Sequence, residues 1–274
     1  MPHTDQDVFH VGVVLTPGFS LMAFASTVEP LRGANLVSGT PLYRWTYLSP
    51  DGGTARSGGG LEVITTALPG AAEARFDMVV VCGGLGCESY HSRKLDAFLR
   101  RIVRRDVIVG SASTASFVLA RAGLLDNRRC TVHWDYLESF REAFPRVQAT
   151  SDLFVIDHGV FTCAGGTAAM DVMLHFLMQR HGDAFARAVS DQFIYGAMRH
   201  PTDAQRTALR VRLGIADPVV VGTVELMESA IEAPLKLPDL ARAAGVSTRQ
   251  LERLFRRYLG CSPAQHYIRT RLER

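Results

Sequence analysis

Apolar residues recur along this chain in two rhythms, and the change between them divides it. In the first two hundred residues, short apolar runs alternate with longer stretches of helical spacing. Val8 to Leu15 is a β-branched run ended by Pro17-Gly18, the pattern of a buried strand. A helix follows from Ser20 to about Gly33, then a strand from Tyr43 to Leu48. Gly52-Gly53 and Gly58-Gly59-Gly60 bracket a hairpin that reaches Thr65. Met78 to Cys82 is almost continuously apolar and closed by Gly83-Gly84, as a central parallel strand would be. A helix from Ser92 to Arg105, a strand from Val107 to Gly110 and a helix from near Thr114 to Gly123 come next. Leu153 to Ile156 and Val160 to Cys163 flank a turn at Asp157-His158-Gly159, and Ala168 to Gln179 is helical. Strands alternating with helices predict an α/β fold with a mainly parallel, doubly wound sheet.

After His200-Pro201 the strands stop. Residues 201–217 read as a linker. Asp217-Pro218 is a helix start, an N-cap followed by proline at the first helical position. Val220, Val224, Met227 and Ile231 continue at helical spacing. The expected organisation is a body over 1–200, a linker over 201–217 and a small all-α segment over 218–274.

That last segment carries the clearest signal. Leu240, Ala241 and Ala244 form one apolar side of a short helix that Gly245 ends. Ser247 caps the next helix, with Gln250 completing a capping box. Leu251, Leu254, Phe255 and Tyr258 form its expected buried face, and Gly260 closes it. Ser262-Pro263, with Gln265, opens another. Two helices joined by a tight glycine turn make a helix-turn-helix, whose second helix offers its outward residues to the DNA major groove. Those residues are Thr248, Arg249, Glu252 and Arg253, with Arg257 placed to grip phosphate.

Charge supports the same reading. The chain of 274 residues has net charge +3, but from Pro234 onward nine basic residues face three acidic ones. A basic end on a slightly acidic body is an electrostatic footprint for nucleic acid. Five cysteines, odd in number and without a CxxC, fit reduced thiols better than a disulfide framework or a zinc site. No apolar run reaches the ~18 residues of a membrane span, and residues 1–9 lack a signal-peptide core. A cytoplasmic protein without cofactor or metal is expected.

The stretch LARAAGVSTRQLERLFRRYLGCSPAQHYIRTRLE is similar to the first half of the DNA-binding module of AraC/XylS-family transcription regulators. The resemblance implies a following linker helix and a second helix-turn-helix, of which the 274 residues reach only the start. The body is similar to the class I glutamine-amidotransferase-like, PfpI-related domains fused to such modules. The similarity lies in GVVLTPGFSLMAFASTVEPLRGAN, VVVCGGLG, GSASTASFVLARAGLLDNRRCTVHW and CAGGTAAMDVMLHFL. It implies a flavodoxin-like fold, a ligand-sensing role and a homodimer.

The resemblance also places Ser113 at a nucleophile elbow, where enzymes of the superfamily carry cysteine. Ser111 and Ala115 stand where GxSxG has glycines. A serine needs a base, for which His133 is the candidate, and Glu29 matches an acidic residue near the elbow in relatives. Gly83, Gly84 and Thr114 complete the expected ligand-binding set. The same residues have structural readings: Glu29 as a brace, Ser113 as a small turn residue, His133 as core. The expected function is a DNA-binding regulator that senses a small metabolite, by resemblance a nitrogen-containing one, through a non-catalytic pocket. The competing expectations are a serine-dependent hydrolase or hydratase, and a shortened dimerisation partner.

Overall fold

The computed structural model describes residues 8–70, 75–205, 213–215 and 217–272. The chain divides into two compact units, Met1–Gln205 and Arg206–Arg274. About half of the linker expected over 201–217, residues 206–212 and 216, lies outside the described residues.

The first unit is built in the order β1 (Phe9–Leu15), α1 (Leu21–Ser38), β2 (Tyr43–Ser49), β3 (Asp51–Arg56), β4 (Glu62–Ala67) and β5 (Met78–Cys82). There follow α2 (Arg93–Ile102), β6 (Ile108–Ala112), α3 (Ser116–Arg121), β7 (Arg129–Thr131), α4 (Leu137–Ala143) and β8 (Gln148–Thr150). The unit closes with β9 (Phe154–Asp157), β10 (Val160–Cys163), α5 (Ala168–His181) and α6 (Asp183–Gln192). Eight strands form one sheet in the order β3-β4-β2-β1-β5-β6-β10-β9. Neighbours are parallel except at the two edges, where β3 runs against β4 and β9 against β10.

Period-two alternation explains how both faces are covered. Met78, Val80 and Cys82 of β5 point into a core with α1, α5 and α6, while Val79 and Val81 point into a second core with α2, α3 and α4. Because both faces are buried, the strand reads as one unbroken apolar run.

Several boundaries differ from the sequence reading. The helix expected to stop at Gly33 continues to Ser38, where Gly39 in the left-handed region (φ +68°) caps it. Gly33 is instead a packing position: a Cβ there would lie 2.7 Å from the Phe193 ring. Helices α4 and α6 and the small parallel pair β7–β8 were not expected.

The second unit contains α7 (Pro218–Ser229), α8 (Leu237–Ala243), α9 (Thr248–Leu259) and α10 (Pro263–Leu272). Its caps form as the residue types dictate. Asp217 accepts from the Val219 and Val220 N–H groups, and Ser247 accepts from Gln250 N–H at 3.2 Å. At α10 the capping box is reciprocal: Gln265 N–H donates to Ser262 Oγ, and Ser262 N–H donates to Gln265 Oε1. Leu251 and Phe255 enter a core with Val220, Val224, Met227, Leu240 and Tyr267. Tyr258, expected on that buried face, is 39% exposed and carries the Arg257 guanidinium over its ring. Leu254 and Leu259 pack against the core from the same helix, so Tyr258 lies outside the apolar face that they continue.

Candidate functional site

Four strand ends lie level at the carboxyl edge of the first sheet. Leu15 pairs with Cys82, Cys82 with Ala112, and Ala112 with Cys163. The residues after them therefore converge, at the edge where open α/β sheets hold ligands.

Ser113 follows β6 with φ +65°, in the left-handed region that costs a side-chain-bearing residue roughly 1–2 kcal/mol. This is the strained strand-to-helix turn of a nucleophile elbow. Small neighbours make it possible. A Cβ on Gly165 would lie 2.5 Å from Ser113 Cβ, and one on Gly83 2.5 Å from Ala115 N. Thr114 Oγ1 donates to the Gly84 carbonyl at 2.6 Å, and Ser20 N–H donates to the Gly83 carbonyl at 3.0 Å. Gly83, Gly84, Ser113 and Thr114 are thus brought together and buried, with Ser113 7% exposed.

The other two predicted residues are not tied to this group. Glu29 holds Arg32 on its own helix, at 2.8 Å to Nε and 2.6 Å to Nη2. His133 caps the turn at Trp134–Tyr136, its Nδ1 accepting from Asp135 N–H at 3.3 Å. Among the described residues no hydrogen bond joins either side chain to Ser113, whose Oγ has no partner. That bond engages Nδ1 with the chain rather than with Ser113. Burial pushes the His133 pKa down, against a smaller upward pull from Asp135. Burial likewise pushes the thiols of Cys82 and Cys163 up to about 12. Neither is a ready nucleophile.

Sequence reading missed Gly165, the wall against Ser113, and Gly18, whose carbonyl meets Gly84. The signal for Gly165 was the small-residue run Ala164-Gly165-Gly166 after a buried strand. Among the described residues no group of acidic, histidine and cysteine side chains could hold a metal ion. No described helix is long and apolar enough to cross a membrane.

The second candidate surface is on α9. Gly245 (φ +68°) turns the chain between α8 and α9. Thr248, Arg249, Arg253 and Arg257 are exposed and Glu252 is half-exposed. Ser247, Arg249, Gln250, Glu252, Arg253 and Arg256 line an open concavity of about 620 Å³. Among the described residues none of Arg249, Arg253 and Arg256 has an ion-pair partner, so their N–H donors face solvent.

Comparison with known proteins gives both units relatives. The profile of the DJ-1/PfpI family matches residues 10–179, and that of bacterial regulatory helix-turn-helix proteins of the AraC family matches 227–266. The chain is 43% identical over 274 residues to the HTH-type transcriptional regulator GbdR of Pseudomonas aeruginosa, spanning 100% of this chain and 74% of that protein. It is 40% identical over 267 residues to the HTH-type transcriptional regulator GlxA of Rhizobium meliloti, spanning 97% and 82%. Among solved structures, an AraC family transcriptional regulator from Pseudomonas putida is similar with TM-score 0.61 and 31% identity, over 68% of this chain and 99% of that one.

Proposed function

The chain belongs to the DJ-1/PfpI family and joins that domain to an AraC-family helix-turn-helix; from this premise we propose that it is a cytoplasmic, homodimeric transcription regulator. In this reading a small, nitrogen-containing metabolite binds beside the elbow and alters how the helix-turn-helix meets promoter DNA. Gly83, Gly84, Ser113 and Thr114 supply the walls of that pocket, with Glu29 and His133 at its margin. Arg249, Arg253, Glu252 and Thr248 read base edges, and Arg257 contacts phosphate.

One observation carries the reading. The α9 surface presents arginines without carboxylate partners, the arrangement a polyanion would complete. A titration of the 274-residue chain with its own promoter DNA and with scrambled DNA, at two salt concentrations, tests it. Promoter preference that Arg249→Ala diminishes is the expected result. Equal, weak binding to both duplexes that no arginine variant alters counts against it.

A second reading, a serine hydrolase or hydratase, draws on the strained φ of Ser113. Against it stands the uncommitted Ser113 Oγ, with no base bonded to it. Purified protein should not turn over amides, esters or dicarbonyls; turnover abolished in Ser113→Ala would promote the enzyme. Light scattering should give twice the monomer mass, and a monomer at micromolar concentration would remove the homodimer from the proposal.

A further inference from the structure

Residues 193–205 follow α6 and lead, in sequence, to the DNA-reading unit. Two polar anchors tie this strap to the body. The first is Asp171 on α5, whose side chain is wholly buried. Its carboxylate accepts from the Tyr195 hydroxyl at 3.0 Å, from Arg199 N–H at 2.8 Å, and from Arg199 Nε and Nη2 at 2.9 and 2.7 Å. Arg199 Nη2 also donates to Thr167 Oγ1 at 2.6 Å. The second is Gln205, whose Nε2 donates to Thr131 Oγ1, the Val132 carbonyl and the Asp152 carbonyl at 2.9, 3.1 and 2.8 Å. Between them the Pro201 carbonyl accepts from Leu153 N–H at 2.8 Å.

Both anchors adjoin walls of the elbow. Thr167 lies two residues after Gly165, which abuts Ser113. Thr131, which Gln205 contacts, accepts at its carbonyl from Ser116 Oγ at 2.7 Å, three residues past Ser113. The strap also begins under strain: Ile194 is 94% exposed with φ +53°, a left-handed backbone that a β-branched residue adopts only when its neighbours impose it. The neighbours do so here, Phe193 packing on Gly33 and Tyr195 bonding Asp171.

A buried ion pair is a poor choice for stability alone, because apolar side chains of the same volume hold a segment as well. Its distinguishing property is convergence: the Tyr195 hydroxyl and the Arg199 N–H, Nε and Nη2 all meet one carboxylate, so displacing Arg199 breaks several bonds together. We propose that Asp171 is a positioning residue that couples the elbow to the DNA-reading unit through this strap. A ligand beside Ser113 displaces the Gly165–Thr167 turn, Thr167 draws Arg199 away from Asp171, and strained residues 193–199 are released. The proposal rests on the elbow being the effector pocket.

Hydrogen exchange on the full chain, read by mass spectrometry, tests the coupling without an identified effector. Gly165→Ala serves as the push, since its Cβ would meet Ser113 at 2.5 Å and its φ of +89° disfavours alanine. Exchange over 193–205 should rise about tenfold in Gly165→Ala while β1 and β5 stay protected. Asp171→Asn should produce the same rise, and the double variant no more than either. Thr167→Val, which removes only the bond to Arg199, should keep the strap protected and abolish its response to Gly165→Ala. Unchanged exchange over 193–205 in Gly165→Ala, or an undiminished response in the presence of Thr167→Val, overturns the coupling. A uniform rise across the whole unit in Asp171→Asn reduces Asp171 to a stability residue and also overturns it. On a random-sequence duplex, Asp171→Asn should shift Kd by about threefold or more; an unchanged Kd with a released strap overturns the link to the reader. Absence of any DNA binding by the unmodified chain defeats the proposed function instead, and leaves the exchange result to judge the strap.

Discussion

Gly84 and Gly18 meet backbone to backbone: a Cβ on Gly84 would stand 2.0 Å from the Gly18 carbonyl oxygen. This contact draws the loop after β5 against the loop after β1. Gly84→Ala should cost roughly 3 kcal/mol, since backbone on both sides must move. Gly86→Ala makes the useful contrast, for Gly86 has φ +83° and open space around it. Its penalty is conformational alone, about 1 kcal/mol. Urea denaturation of the two variants separates steric from conformational demand, and equal losses would refute the close contact.

The arginines of α9 should divide into two classes. Arg249→Ala and Arg253→Ala should erode promoter preference by roughly 1–3 kcal/mol each, the worth of a good base contact. Arg257→Ala should weaken all sequences alike and reduce the salt slope by about 1. Binding isotherms at several salt concentrations distinguish the classes. A uniform loss in all three variants would mean that α9 grips phosphate only.

Acid should destabilise the first unit over a defined range. His10, His133, His175 and His181 are all held below the ordinary 6.5, burial being the largest cause in each. Below that value the unfolded chain binds protons that the folded chain refuses, so stability falls as pH drops from 6.5 toward the folded values. Above about pH 7 these residues contribute no slope. Denaturation midpoints should decline as pH falls below 6.5, and His133→Gln should flatten the decline. A midpoint rising on acidification over that range would contradict the assignment.

Thiol chemistry should single out Cys261. Cys82, Cys87, Cys130 and Cys163 are buried, and burial raises all four, three of them to about 12. Cys261 is half-buried. A thiol-specific reagent should label it in the native protein at neutral pH and reach the others only after unfolding. Rapid native labelling of Cys82 or Cys163 would show that the elbow region opens.

Much of the turn geometry around Ser113 lay open to sequence reading because it rests on backbone demands. Gly83-Gly84 after an apolar run, and a small residue at 113 between a strand and a helix, are local necessities. Glu29 shows where that reasoning ends. Its partner, Arg32, is three residues away, yet nothing in the spacing separates a carboxylate turned to its own helix from one turned to the elbow. His133 is the same case, since its ring nitrogen caps the following turn.

What the chain alone determined is local. Asp217, Ser247 and Ser262 cap helices because their oxygens satisfy N–H groups that a helix start leaves bare, and Gly245 and Gly260 end them because glycine enters the left-handed region freely. β5 declared itself central by being apolar on both faces. What only the tertiary structure decided is long-range. Strand order brings Leu15, Cys82, Ala112 and Cys163 level, seats Gly165 against Ser113, and joins Asp171 to Arg199 across 28 residues. Such pairings depend on how whole elements pack, and a side chain's partner is set by the neighbour that packing delivers rather than by the residues beside it in the chain.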